Sequence, residues 1–196
     1  FVIELMAKTT DEIIAVNSGS APNIAFGRLT PDNVTGNSVT QWHGGNNLYF
    51  WDRAYEYILR INTFLEKMEE VTITLDNKDV LVAEARFLRG WIYFNMIERF
   101  GDVPLVTETY ELGSDHTFTS TPFDQVVAFI ETEFAAIMPT LPKYYSSADS
   151  NFGRPTQAIC QAILSRMHLY AASPLFNPNN DKAKWEKAYK SSKTFI

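Results

Sequence analysis

The stretch DVLVAEARFLRGWIYFNMIERFGDVP, Asp79 to Pro104, decides the architecture of this chain. Its residues Leu81, Ala85, Leu88, Ile92 and Met96 recur every three to four positions, the period of an α-helix with one buried stripe. Phe87, Trp91 and Phe94 widen that stripe. Gly101 is placed to take the left-handed backbone that closes a helix, and Pro104, which lacks an N–H, prevents continuation. A long helix over 79–100 follows from these residues alone.

Working outward, the N-terminal side carries a second long pattern from Leu48 to Met68, with Trp51, Ala54/Tyr55, Ile58, Ile61, Leu65 and Met68 on one side. Val71 to Leu75 reads as a linker, either a short strand or an extended loop, and Asp76 to Asp79 supplies turn and cap chemistry. Two long helices joined by roughly ten residues predict an antiparallel hairpin. On the C-terminal side, Thr121-Pro122 opens a third helix with Phe123, Val126/Val127, Ile130, Phe134 and Ile137 inward, and Pro139 lies just past its end. A fourth begins near Pro155-Thr156, carries Ile159, Ile163, Met167 and Tyr170 inward, and halts at Pro174. A fifth starts after Asp181, with Trp185, Ala188/Tyr189 and Ser192 expected inward. The fold class is therefore all-α, built from helical hairpins that resemble tetratricopeptide repeats without their strict period of about 34 residues. We expect one domain over 1–196, with a loop-rich part at 1–47 and the hairpins at 48–196.

The 196 residues carry 45% apolar and 20% charged side chains, enough for a packed core. The net charge of −6, without a Lys/Arg run, makes nucleic acid phosphates or anionic lipid poor partners. Cys160 is the single cysteine, beside Ile159 and Ile163, and is expected to be a small buried hydrophobe. The sequence opens Phe1-Val2-Ile3 without a signal-peptide pattern, and its last helical pattern stops without a cap; it reads as a piece of a longer polypeptide. No apolar run approaches the roughly 20 residues of a membrane-spanning helix. Phosphate-loop, dinucleotide and zinc-hydrolase motifs are absent, and no cofactor or metal is expected. His43, His116 and His168 lack a second ligand at helical spacing and read as surface or packing histidines. Asn33-Val34-Thr35 matches the three-residue glycosylation pattern. Arg86 and Arg89 share a helix face, either as an anion site or as packed stems paired to Glu84, Glu98 or a neighbouring helix; the second reading is favoured.

One loop has binding chemistry. Gln41-Trp42-His43-Gly44-Gly45-Asn46-Asn47 sets a tryptophan among amides and glycines just before the first long helix. Sugars have apolar C–H faces and hydroxyl rims, so an aromatic plate with amide partners suits them. Trp42, Asn46 and Asn47 form such a set; the alternative is that Trp42 packs back on the helix while the glycines only turn the chain.

Five collinear segments resemble the SusD/RagB family of Bacteroidetes nutrient-uptake lipoproteins. Ala83 to Phe94 running into Arg99 to Val106 is similar to its signature segment. Thr9 to Glu12 resembles the "TDE" stretch, and Trp51 through Asn62-Thr63-Phe64-Leu65 its Trp–Asn helix. Gly153-Arg154-Pro155-Thr156 and Tyr170 to Asn177 open and close the following helix in the family manner. The resemblance implies a surface glycan-binding protein without catalytic chemistry, lipid-anchored to the outer membrane and facing outward. It implies capture of oligosaccharide, or in some members peptide, for a SusC-like TonB-dependent transporter, and it adds Asp11 to Trp42, Asn46 and Asn47 as a ligand contact. A general helical-repeat interaction module and an α-helical glycosidase are the rival classes.

Overall fold

The apolar periodicity becomes five helices in the computed structural model, which describes residues 51–72, 77–110 and 117–195. They are α1 (Trp51–Glu70), α2 (Lys78–Phe100), α3 (Phe123–Ile137), α4 (Gln157–Ala172) and α5 (Lys182–Phe195). The chain divides between Asp52 and Arg53 into two units, and from Arg53 onward the described residues belong to the second. Trp42, Asn46, Asn47 and Asp11 lie outside the described residues, as do His43, His116 and Asn33.

The core forms where α2 meets α3. Tyr93, Phe94, Met96 and Ile97 of α2 and Ile130, Phe134 and Ile137 of α3 are almost fully withdrawn from water. Burying each such side chain contributes about 1.5–3 kcal/mol. Phe87 stacks on Phe134 with centroids 5.5 Å apart, and Tyr93 meets Phe129 edge-on at 5.7 Å. All six residues expected on the inner face of α3 are buried there. Gly101 has φ +70° and its N–H returns to the Ile97 carbonyl, so the predicted helix stop is present. Asp102, next in sequence, accepts from the Phe123 amide at 2.8 Å and supplies the start of α3 with the cap that Pro122 lacks.

The closest helix pairs are α4 with α5 and α2 with α3. Helices α1 and α2 are joined directly, Arg89 to Asn62, and through an extended segment, 103–109, that ties the two together. Tyr55 of α1 donates to the Pro104 carbonyl, and Asn62 donates to those of Val106 and Glu108. From α2, Arg89 donates to the Thr107 carbonyl and to Asn62 Oδ1, and the Tyr93 phenol both donates to and accepts from Val106. Extended backbone carries unpaired polar groups, and these side chains satisfy them. The segment is closed at its start by an antiparallel bridge between Val103 and Thr121.

Leu88, Trp91 and Ile159, placed inward by spacing, point outward instead. Trp185 and Tyr189 likewise turn outward, and Ala188 is the buried residue of α5. The reason is the tightness of the α4–α5 pair. Ser165 meets Ser192 oxygen to oxygen at 2.8 Å, and Ala188 is buried on α5. Small residues allow close backbones and leave no room for indole or phenol.

Candidate functional site

Two depressions lie on the described residues. The first, about 470 Å³, is a groove between α2 and α4 floored by Phe94 and flanked by Leu88, Trp91, Pro155, Ile159 and Arg166. Trp91 is 39% and Leu88 45% exposed, so the groove presents an indole and aliphatic edges to solvent. The loop ahead of α4 turns tightly through hydrogen bonds from the Phe152 amide to Asp149 and from the Arg154 amide to Asn151, with Gly153 at φ +95°. That turn leaves Phe152 63% exposed. Polar groups around the groove are already engaged. Arg166 donates to Glu98 at 2.6 Å and lies 5.8 Å over the Phe94 ring, while Arg154 grips Glu84 through Nε and Nη2 at 2.8 and 2.6 Å.

The second depression, about 610 Å³, is polar and lies beside α1, α2 and the extended segment, with Asn62, Glu66, Lys78, Arg86, Arg89 and Glu133 among its walls. Its floor is a three-residue cluster in which Arg89 and Glu133 are buried and Arg86 is half-buried. Arg86 and Arg89 each place a guanidinium nitrogen 2.8 Å from the Glu133 carboxylate. Burial alone would push the Glu133 carboxyl up, but the two arginines outweigh it and hold it below the ordinary carboxylate range. Two cations share one carboxylate, and Arg89 Nε is buried without a partner among the described residues. The arginines therefore serve packing and pairing to a neighbouring helix, the favoured reading of that segment, and not a free anion site.

His168 is the described histidine, and it is packed. Its Nε2 lies 2.7 Å from Glu131 Oε1, and Lys187 reaches the same oxygen at 2.5 Å. Burial pushes the Cys160 thiol up to about 12, so it is no thiolate at neutral pH, and its role is the small buried hydrophobe expected. Among the described residues no three His, Cys, Asp or Glu side chains are placed to hold a metal ion, and no helix is long and apolar enough to cross a membrane. Sequence reasoning missed the groove because it placed Leu88, Trp91 and Ile159 in the core. The available signal was that α2 is apolar on more than one side, as a helix with two contact faces must be.

The comparisons with known proteins agree with one another. A SusD-like family described as "Starch-binding associating with outer membrane" matches residues 9–169. A curated SusD-like protein P2 of Formosa agariphila is 24% identical over 123 residues, covering 61% of this chain and 23% of the relative. Among solved structures, a surface glycan-binding protein A of Bacteroides uniformis is 30% identical with a TM-score of 0.58, covering 75% of this chain and 31% of that one. A SusD-like protein of Bacteroides fragilis is 26% identical with a TM-score of 0.61, covering 74% and 26%. The chain thus spans a quarter to a third of the length of these relatives.

Proposed function

Because the chain belongs to the SusD-like family, we propose that it acts as the surface glycan-binding component of an outer-membrane nutrient-uptake system. In this reading it is lipid-anchored, faces the medium, captures oligosaccharide, and passes it to a SusC-like TonB-dependent transporter without altering it. The observation that carries the proposal is the family match over residues 9–169, which spans both the helical scaffold and the loop at 41–47. Support comes from the glycan-binding relative in Bacteroides uniformis and from the chemistry of that loop. Trp42 would stack on a sugar face while Asn46, Asn47 and Asp11 bond its hydroxyls. Hand-over to a transporter asks for moderate affinity, which stacking and a few hydrogen bonds provide.

The test is isothermal titration of the purified protein against an oligosaccharide panel headed by maltooligosaccharides. At least one glycan should bind, and Trp42→Ala should weaken it about tenfold, the value of one lost stacking contact. Heat from peptides and from no glycan would move the protein to the peptide-binding branch of the family. Turnover of any glycan would overturn the non-catalytic reading.

A further inference from the structure

We draw no further inference here: the strongest candidate, the apolar groove between α2 and α4 floored by Phe94 and edged by Leu88, Trp91 and Ile159, lies open in a chain that spans a quarter to a third of the length of its relatives, and nothing in the structure shows what covers it.

Discussion

At the scale of single residues, Gly90 shows how a helix interior acquires a glycine that propensity disfavours. A Cβ there would lie 2.5 Å from Phe134 Cε1, and the Phe134 ring is fully buried and stacked on Phe87, so it has nowhere to swing. Alanine would gain about 1 kcal/mol in helix propensity but incur the overpacking cost of about 1–3 kcal/mol, which wins where the neighbour is immobile. Gly90→Ala should therefore lower the urea midpoint, and adding Phe134→Leu should restore part of the helix-propensity gain. A midpoint raised by Gly90→Ala alone would show that α2 and α3 are not in contact as described. The roles of Cys160 and of the arginine pair were legible from sequence, since each rests on residue type and immediate neighbours. That Glu133 is the shared carboxylate was not, because it lies on another helix.

At the scale of elements, periodicity located the helices but did not say what each face meets. The stripe at Trp185, Ala188/Tyr189 and Ser192 was read as inward, yet a seam closed by alanine and serine puts the aromatics outside. Leu88 and Trp91 lie outward on α2 for another reason, that apolar residues spread around its whole circumference and cannot all face the core. The extended segment had no periodicity to reveal it. Asn62 is its anchor, buried at 2% exposure and bonded to Val106, Glu108 and Arg89. Asn62→Ala takes the Asn62 donor from the Glu108 carbonyl, removes one of two donors from that of Val106, which keeps Tyr93, and leaves Arg89 Nη1 with the Thr107 carbonyl. Each orphaned buried group costs about 1–3 kcal/mol. The variant should be destabilised by about 1–3 kcal/mol, the cost of one buried group left short of its partner, and hydrogen exchange should quicken first at the amides of 105–108. Uniform quickening across α2 and α3 instead would mean that the segment is no independent tie.

At the scale of the whole molecule, the helical class and the family were legible because both depend on long, regular stretches, whereas the proposed ligand contacts Trp42, Asn46 and Asn47 fall in a stretch whose sequence has no helical periodicity. What the sequence hid was the way charge holds the helices together. Glu131 and Glu133 lie two positions apart on α3 and so face different neighbours. Glu131 binds His168 of α4 and Lys187 of α5, and Glu133 binds Arg86 and Arg89 of α2. In both, burial pushes the carboxyl up but the partners outweigh it, and the folded value lies below the ordinary 4.5. A carboxyl whose folded value is depressed adds stability that is present above the unfolded value and lost as the pH falls through the folded one. The melting temperature should accordingly hold level from neutral pH down to about 5 and drop below about 4.5 as protons enter α3. Glu133→Gln removes one of these titrations and leaves two guanidiniums without an anion, a change of about 3–5 kcal/mol for a broken buried pair. It should lower stability at pH 7 and flatten the acid limb, so that variant and wild type converge toward pH 3. Curves that stay parallel down to the lowest pH would mean that Glu133 is not titrating against its arginines, and that the acid sensitivity of the fold resides elsewhere.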